Sequence, residues 1–308
     1  EHSHCINPLA AAIRLADKVS TVSPTYAEEI CRPSDPSTGF IGGEGLEGLL
    51  QAARDEGRLS GVLNGCFYDG LAGRRPGWQR IVAMIQGQLR DWQIDVPASE
   101  AHQLALERVA ALPKRRPRHV ITSIGRLVEQ KATLLLLGDD THNSAIERIA
   151  NRYGRDAAII ILGSGDAAFE HRMLQVAHRL PNLVFLRGYS EVLADPLYHA
   201  GDLFLMPSSF EPCGISQMLA MRRGQPVVAH RVGGLGDTID DNETGFLFDG
   251  ATPDEQADAF VETTLRALDM RANDPLRWQD LQKAAAEKRF DWASAARETI
   301  NRLYTSYA

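Results

Sequence analysis

The sequence predicts an α/β fold with a Rossmann-like, doubly wound parallel sheet. From His119 onwards, short apolar runs alternate with segments of helical spacing, beginning with Val120–Ile124, Ala145–Tyr153 and Ala157–Leu162. Such alternation is typical of a parallel sheet with helices on both faces. The 308 residues, 44% of them hydrophobic and 24% charged, are close to the globular average. This length is enough for about two domains.

The individual elements follow from the same periodicity. Ahead of the alternating region, the spacing predicts a helix over Pro8–Lys18 and a short strand over Val19–Val22, while the glycines of Gly39–Gly48 indicate an exposed loop. Residues 66–100 show no clean periodicity, so we expect a connection there. Beyond Leu162 the pattern continues through a helix at Glu170–Leu180, strands at Leu183–Leu186 and Leu203–Met206, a helix at Ser216–Arg223, and strands at Pro226–Ala229 and Gly245–Phe248.

The charge and composition argue against several partners. A formal net charge of −7 disfavours binding to a nucleic-acid backbone, which needs clustered Lys and Arg. The one dense basic run, Lys114–Arg118, is interpreted as a solvated loop before a strand. No apolar run approaches the ~20 residues of a membrane span, and no secretory signal is visible. We therefore expect neither a nucleic-acid nor a membrane partner.

The cysteines and terminal histidines do not predict a metal site. His2 and His4 are interpreted as part of a disordered end or a tag remnant. The four cysteines lack paired spacing, which favours a reducing, cytoplasmic setting over a disulfide framework: Cys5, Cys31, Cys66 and Cys213.

The most informative segment follows the strand predicted at Asp202–Met206. Pro207 and Pro212 restrict the backbone there, so Glu211 lies in a turn directly ahead of a helix. Gly214 allows the backbone to approach a ligand closely. Free amide groups at the start of a helix favour anions, so this turn predicts a phosphate site. The alternative is an ordinary loop with an exposed glutamate.

Other distinctive residues also follow predicted strands, where ligands bind in open α/β sheets. Arg126 follows the first strand of the sheet, with Lys131 five residues further on. An arginine and a lysine together can hold a diphosphate, one bidentately and the other as a point charge. Gly163 and Gly165 follow the next strand, and Tyr189 the one after. Tyr189 is either a stacking surface for a base or a core tyrosine.

Five of these segments occur in the order, and at roughly the spacing, found in bacterial glycogen synthases and plant starch synthases. The chain resembles this family of retaining glycosyltransferases, whose GT-B fold has two facing Rossmann-like domains. The resemblance is strongest over Gly188–Leu235 and weak over 66–117. The segments are Ser123–Lys131, Gly163–Asp166, Arg187–Glu191, Phe210–Ile215 and Val232–Leu235.

The resemblance also implies how the chain is divided. The family's amino-terminal domain begins with a Lys-x-Gly-Gly-Leu loop that this sequence lacks, so we expect only the end of that acceptor-side domain, over residues 1–65. Residues 66–117 would be a linker or a poorly ordered connection. Residues 118–290 would be the nucleotide-sugar-binding domain, and 291–308 a helix that packs back towards the first domain. A truncated chain, or a numbering that closes over omitted residues, would explain the missing loop.

For the site, the resemblance implies three catalytic residues. Glu211 would hold sugar hydroxyls and stabilise positive charge on the ring, while Arg126 and Lys131 would stabilise the departing diphosphate. Tyr189 would stack on the adenine base, and neither a metal nor another cofactor is required. The remaining donor-binding positions are Asn64, Gly163, Gly165, Cys213, Gly214, Ile215, Ser216, Gly233 and Gly234.

The sequence departs from the family pattern at a few positions. Ser209 stands where the family usually has Arg, which removes one charged contact. Cys66 and Phe67 replace an aliphatic residue and Asp after the Asn64 motif. Leu219 stands where related families carry a second Glu, in agreement with the starch and glycogen synthases.

We therefore expect an α-glucan synthase, or the donor-binding part of one, that transfers glucose from ADP-glucose, or from UDP-glucose, to the non-reducing end of an α-1,4-glucan. It would act in the cytoplasm or the plastid stroma, in an oligomeric state that the sequence leaves open. One alternative is a non-catalytic nucleotide or glucan binding module, because the acceptor-side domain and its expected histidine are missing. Another is a different GT-B nucleotide-sugar enzyme. The turn at Phe210–Ile215 and the presence of Leu219 both argue against that alternative.

Overall fold

The computed structural model describes residues 6–68, 75–95, 99–138 and 143–304. His2, His4 and Cys5 lie outside these residues. The strands are β1 (Val19–Thr21), β2 (Leu59–Gly61), β3 (His119–Ile124), β4 (Ala157–Gly163), β5 (Leu183–Arg187), β6 (Leu203–Met206), β7 (Val227–His230) and β8 (Gly245–Phe248). The helices are α1 (Pro8–Leu15), α2 (Pro24–Glu29), α3 (Glu47–Asp55), α4 (Trp78–Asp95), α5 (Glu100–Ala111), α6 (Glu129–Leu136), α7 (Ala145–Tyr153), α8 (Ala167–Arg179), α9 (Glu191–Ala200), α10 (Ser216–Arg222), α11 (Gly233–Thr238), α12 (Pro253–Asn273), α13 (Pro275–Glu287) and α14 (Trp292–Leu303).

The main sheet has six parallel strands in the order β5-β4-β3-β6-β7-β8. Counted within this domain, the order is 3-2-1-4-5-6, the doubly wound arrangement that the alternating pattern predicts. The winding reverses between β3 and β6. In open sheets of this kind the ligand crevice lies at that reversal, beyond the carboxyl ends of the strands. Arg126 follows β3 and Glu211 follows β6, so both lie at this position.

Helices cover both faces of the sheet because its strands are apolar on both sides. On one face Ile121, Ile159 and Ile161 pack with helices α7, α8 and α12. On the other face Val120 and Ile160 pack with helices α4, α5 and α9. Both sets of strand residues are almost wholly buried. Helices therefore hold the sheet from both faces, and the loops that follow its strands lie at the uncovered carboxyl edge.

Two parts of the chain differ from the sequence-based expectation. The sequence predicts a linker or poorly ordered connection over 66–117, but the described part of this region contains α4 and α5. Ile81, Ile85 and Leu89 lie four residues apart along α4 and are at most 1% exposed. This spacing puts them on one helix face, against the sheet. The stretch Gly39–Gly48, expected to be an exposed loop, includes two buried glycines and the start of α3.

The amino-terminal segment forms a small unit of its own. Strands β1 and β2 pair in parallel, and helices α1 and α3 pack beside them around a small apolar core. Helix α2 packs on α11 of the larger domain. There Asp237 accepts hydrogen bonds from the amide and the hydroxyl of Thr25, at 2.9 and 2.7 Å. The unit is thereby attached to the carboxyl edge of the main sheet.

The carboxy-terminal helix begins beside this unit. The amide of Cys66 donates to the carbonyl of Phe290 at 2.7 Å. A Cβ on Gly65 would lie 2.5 Å from the amide nitrogen of Trp292, so only glycine permits this approach. Helix α14 itself has no buried residue among those described. The contact is therefore made by the turn before the helix and by Trp292, the first residue of the helix.

Candidate functional site

The loop after β6 holds Glu211 in a fixed, buried position. Glu211 is 6% exposed. Its Oε2 atom accepts hydrogen bonds from Lys131 Nζ at 2.5 Å and from the Ser208 hydroxyl at 3.2 Å. The side chain of Gln130 donates to the carbonyl of Phe210 at 2.6 Å, and the Ser209 amide donates to the Gln130 carbonyl at 2.8 Å. The loops that follow β3 and β6 are therefore joined at the reversal of the sheet.

Arg126 is an unpaired cation at this edge of the sheet. It is exposed, and no hydrogen bond or ion pair joins it to any other residue that the structure describes. It lines a large cavity at the ends of β3–β5 and also a narrow cleft that reaches Lys131 and Ser208. An uncompensated guanidinium in that position attracts an anion with two or more oxygen atoms.

Glycines bring the loops after β3 and β4 into contact. A Cβ on Gly163 would lie 2.1 Å from the carbonyl oxygen of Gly125, and one on Gly165 would lie 2.4 Å from that of Leu127. The Leu127 amide donates to the carbonyl of Ser164 at 3.0 Å. Gly163 lines the large cavity. The contact of Gly165 is with Leu127, so its observed role is to support the loop that carries Arg126.

The large cavity has a volume of about 480 Å³, within the range of about 300–1,000 Å³ usual for small-molecule sites. We call it the β3–β5 cavity; Arg126, Gly163, Tyr189, Tyr198 and Ser216 are among the residues that line it. Tyr189 is 75% exposed, and its hydroxyl donates to Glu191 Oε1 at 2.9 Å. Tyr189 is therefore not a core tyrosine, and its ring is open for stacking. The cavity combines an aromatic ring with a free cation.

The turn between Glu211 and α10 brings the next predicted residues to the same edge. Gly214 has a φ of +75°, a left-handed conformation that favours glycine. Ile215 is 43% exposed at the start of α10. Ser216 hydrogen-bonds with Tyr198, and burial raises the pKa of that tyrosine to about 12. The Ser216 hydroxyl is thus held at the wall of the β3–β5 cavity.

Cys213 and Asn64 meet behind this turn. Burial raises the pKa of the Cys213 thiol to about 11, and the backbone amide of Asn64 hydrogen-bonds to its sulfur. A thiol with this pKa is protonated near neutral pH and is not a nucleophile. Asn64 belongs to the amino-terminal segment, so this contact brings that segment to the turn that carries Glu211.

The positions of Gly233 and Gly234 correct one expectation. The sequence predicts that their amides face a phosphate or a sugar oxygen. Instead, the Gly233 amide donates to Glu29 Oε1 at 2.9 Å, and the Gly234 amide donates to the Glu211 carbonyl at 3.0 Å. A Cβ on Gly233 would lie 2.1 Å from the Glu211 carbonyl oxygen. These glycines therefore support the Glu211 loop through close backbone packing.

Lys131 and Ser208, the two residues that donate to Glu211, also line the narrow cleft with Arg126. This cleft has a volume of about 30 Å³, which is room for about two water molecules. Glu211 is not among the residues that line it. The Lys131 side chain is 21% exposed, so its ammonium group has access to solvent.

Sequence reasoning missed three residues of the site. Gln130 and Ser208 hold the Glu211 loop. Gln130 lies within the segment Ser123–Lys131, and Ser208 lies two residues before the segment Phe210–Ile215. Glu29 lies on α2, 204 residues before Gly233 in the chain. No local pattern indicates that contact, since it depends on how α2 packs on α11.

Among the residues that the structure describes, no three or more His, Cys, Asp or Glu side chains are grouped to hold a metal ion. Within those same ranges, no helix is both long and apolar enough to span a bilayer.

Two family models and several known proteins match this chain. A family model described as Glycosyl transferases group 1 matches residues 118–268, and one described as Starch synthase catalytic domain matches residues 1–52. A glycogen synthase of Streptococcus equi subsp. equi is 34% identical over 311 residues, which cover 98% of this chain and 58% of that protein. A glycogen synthase of Hydrogenovibrio crunogenus is 35% identical over 306 residues, covering 95% and 57%.

Solved structures agree with these matches. The catalytic domain of Starch Synthase IV from Arabidopsis thaliana, bound to ADP and acarbose, matches with a TM-score of 0.68 and 26% identity, over 97% of this chain and 57% of that one. The chain thus spans less than three fifths of the length of these three relatives. Its sequence and its fold show that the chain belongs to the glycogen synthase and starch synthase family of GT-B glycosyltransferases.

Proposed function

We propose that the chain is the donor-binding part of a retaining glucosyltransferase that adds glucose from ADP-glucose to the non-reducing end of an α-1,4-glucan. The observation that supports this most is the meeting of Arg126, Lys131 and Glu211 at the reversal of the sheet. A cation from the loop after β3, a second cation from the first turn of α6 and a buried carboxylate from the loop after β6 are the groups that glucosyl transfer from a nucleotide sugar requires.

The chemistry assigns a task to each group. As the bond between C1 and the phosphate oxygen breaks, positive charge develops on the sugar ring and negative charge on the departing diphosphate. Arg126 and Lys131 stabilise the diphosphate, which needs no divalent metal for this purpose. Glu211 holds sugar hydroxyls and stabilises the oxocarbenium character of the ring, in line with the retention of configuration that the family resemblance implies.

The Lys131–Glu211 pair engages the carboxylate that the sugar would use. Glu211 Oε2 accepts from Lys131 Nζ and from the Ser208 hydroxyl. A bound diphosphate offers Lys131 a second anionic partner, close to the unpaired Arg126. We propose that Lys131 turns to the diphosphate on donor binding and leaves Glu211 free to accept hydrogen bonds from the sugar.

The β3–β5 cavity supports an adenine nucleotide as donor. Tyr189 presents an open ring at the rim, and base–aromatic stacking contributes ~1–3 kcal/mol. The related starch synthase structure has ADP bound. Stacking on Tyr189 also tolerates uracil, so UDP-glucose is the competing donor. The described cysteines Cys31, Cys66 and Cys213 are free thiols, which fits the cytoplasmic setting that we propose.

Titration of the chain with ADP tests the proposal. We expect ADP to bind, and we expect Arg126→Gln to weaken binding about 10- to 100-fold through the loss of charge-assisted hydrogen bonds. Arg80→Gln is the matched control, since Arg80 is an exposed arginine of α4 that does not line the β3–β5 cavity. Absence of ADP binding, or equal affinities for the two variants, would contradict the proposal.

A further inference from the structure

Helices α4 and α5 contact the segment that carries Tyr189, and the donor mechanism uses no residue of either helix. This segment, Arg187–Glu191, joins the end of β5 to the start of α9, and we call it the Tyr189 segment. Helix α5 packs against β5, and α4 packs against α9. The two helices therefore contact both of the elements that the Tyr189 segment connects.

Trp92, near the end of α4, packs on the main chain of Gly188. The indole ring is partly buried. A Cβ on Gly188 would lie 2.8 Å from Cζ2 of Trp92 and 3.0 Å from Cη2, so a glycine before Tyr189 allows the ring to lie against the backbone. Gly188 lines the β3–β5 cavity, whereas Trp92 is not among the residues that line it. Trp92 therefore acts on the cavity through Gly188.

His102 of α5 holds both Trp92 and the start of the Tyr189 segment. It is 7% exposed, and its ring stacks on Trp92 with 5.5 Å between the centroids and 23° between the planes. Its Nε2 atom lies 2.9 Å from the carbonyl oxygen of Arg187. A carbonyl only accepts, so Nε2 carries a proton and donates it. One imidazole ring thus orients the indole and fixes the main chain directly before Gly188.

The other nitrogen of His102 is held at a cost. Nδ1 is buried and has no hydrogen-bond partner among the residues that the structure describes. A buried polar atom without a partner costs free energy. An apolar side chain would avoid this cost, but it could not donate to the Arg187 carbonyl. Local departures from good packing are expected at functional sites, so this histidine is better explained by support of the Tyr189 segment than by the stability of the core.

Gln88 holds the Tyr189 segment on the far side of Tyr189. The Ser190 hydroxyl donates to Gln88 Oε1 at 2.7 Å. The same hydroxyl accepts from the Leu193 amide at 3.2 Å and caps the start of α9. Gln88 and Trp92 are four residues apart, which puts them on one face of α4. This face contacts the residue before Tyr189 and the residue after it.

Tyr189 depends on such support because its own ring is little packed. The residue is 75% exposed, and its hydroxyl donates to Glu191 only two residues further along the chain. The position of the ring is therefore set mainly by the backbone on either side of it. Binding to a ring that is already fixed loses less conformational entropy than binding to a mobile one.

We propose that Trp92, together with His102 and Gln88, is a positioning residue for the nucleotide base: it holds the Tyr189 segment so that the Tyr189 ring is fixed at the rim of the β3–β5 cavity. The inference rests on the proposed function, because the ligand is the nucleotide of the donor site. It gives α4 and α5 a part in donor binding, although neither helix lies at the reversal of the sheet.

Trp92→Ala tests the proposal, and Trp78→Phe is the matched control. Trp78 lies on the same helix, is 8% exposed and donates from its indole N–H to the Pro113 carbonyl at 2.9 Å, away from the Tyr189 segment. Trp92→Phe is the conservative variant, since a smaller ring still packs on Gly188. Calorimetric titration of each protein with ADP and with inorganic diphosphate separates the base from the phosphates.

We expect Trp92→Ala to raise the Kd for ADP about 3- to 10-fold, through partial loss of stacking on Tyr189, and to leave the Kd for diphosphate unchanged. Trp92→Phe should bind ADP within about twofold of the unmodified chain, and Trp78→Phe should alter neither affinity. Unchanged ADP affinity in Trp92→Ala would overturn the proposal. Equal weakening of ADP and diphosphate would also overturn it, by showing a general loss of structure.

Fluorine NMR of chains labelled with fluorotyrosine tests the support without a ligand. The Tyr189 resonance is assigned from its loss in Tyr189→Phe. It should shift in Trp92→Ala and stay in place in Trp78→Phe, and an unmoved resonance in Trp92→Ala would overturn the proposal. If the unmodified chain does not bind ADP, the proposed function fails and the base role fails with it, while the fluorine spectra still decide whether Trp92 fixes Tyr189.

A second variant covers the case in which Trp92→Ala does not fold. Gln88→Ala removes the partner of the Ser190 hydroxyl and leaves the Trp92 stack in place. It should raise the Kd for ADP about 2- to 5-fold, with the Kd for diphosphate unchanged. An ADP affinity equal to that of the unmodified chain would contradict the proposal.

Discussion

The two partners of the Lys131–Glu211 pair should have opposite effects on nucleotide binding. If Lys131 leaves Glu211 to reach a diphosphate, the pair competes with the nucleotide. Lys131→Gln removes a charge-assisted contact worth about 1.5–3 kcal/mol, so the Kd for ADP should rise about 10- to 100-fold. Glu211→Gln removes the competitor, so the Kd should stay the same or fall by up to about tenfold.

The stabilities of the two variants should also differ, because the partners are buried to different extents. Lys131→Gln leaves the carboxylate of Glu211, 6% exposed, with only the Ser208 hydroxyl. This should cost about 3 kcal/mol in the free energy of unfolding. Glu211→Gln leaves Lys131, with its side chain 21% exposed, able to turn to solvent, at a cost of about 1 kcal/mol.

Calorimetric titration with ADP and urea unfolding measure both effects. Arg148→Gln is the control, because it breaks an ion pair with Asp258 at the surface and away from the β3–β5 cavity. Arg148→Gln should leave the affinity for ADP unchanged. It should change the free energy of unfolding by no more than about 1 kcal/mol. A purely structural role for the pair would leave ADP affinity unchanged in Lys131→Gln. Weaker ADP binding by Glu211→Gln would refute the competition directly.

The other predictions concern the base, the support of the Glu211 loop and the pH dependence. Tyr189→Ala should raise the Kd for ADP about 5- to 100-fold but leave the affinity for inorganic diphosphate unchanged, as titration with each would show. Gly233→Ala should lower the free energy of unfolding by about 2–4 kcal/mol, because its Cβ would lie 2.1 Å from the Glu211 carbonyl oxygen. Gly48→Ala in α3, which has open space, should not destabilise the protein in the same urea assay. Burial lowers the pKa of His119 from 6.5 to about 4, so in the interval between these values the unfolded chain binds a proton that the folded chain does not. Stability should therefore fall as the pH drops from 6.5, by about 2 kcal/mol at pH 5, and His119→Phe should flatten this part of the urea-unfolding profile.

The sheet could be predicted from the sequence because its strands are short, apolar and bounded by turn residues. The strands predicted at Leu203–Met206 and Gly245–Phe248 have these same bounds in the structure. The predicted positions of Arg126 and Glu211 at strand ends follow from the same alternation, since parallel strands all end at one edge.

Helix α4 was within reach of sequence analysis but was not predicted. Its buried residues Ile81, Ile85 and Leu89 recur at intervals of four, which is a helical spacing. Gly87 lies inside the helix, and the polar residues around it hide the apolar stripe. A glycine within a helix costs only about 1 kcal/mol, which packing against the sheet offsets.

The sequence alone could not predict which groups the Gly233 and Gly234 amides contact. A glycine pair ahead of a helix is typical of an anion site, and the local sequence does not distinguish that use from close backbone packing. The deciding partner is Glu29, which approaches from a separate unit of the chain. Contacts of this range depend on tertiary packing.

A crystal structure of the chain with ADP and glucose is the most direct test of the central claim that cations after β3 and the carboxylate after β6 form one donor site. We expect the diphosphate within hydrogen-bonding distance of Arg126 and Lys131, the base on Tyr189, and the hexose against a Glu211 that Lys131 has left. ADP bound elsewhere, or bound with the Lys131–Glu211 pair intact and no hexose beside it, would rule out this donor site.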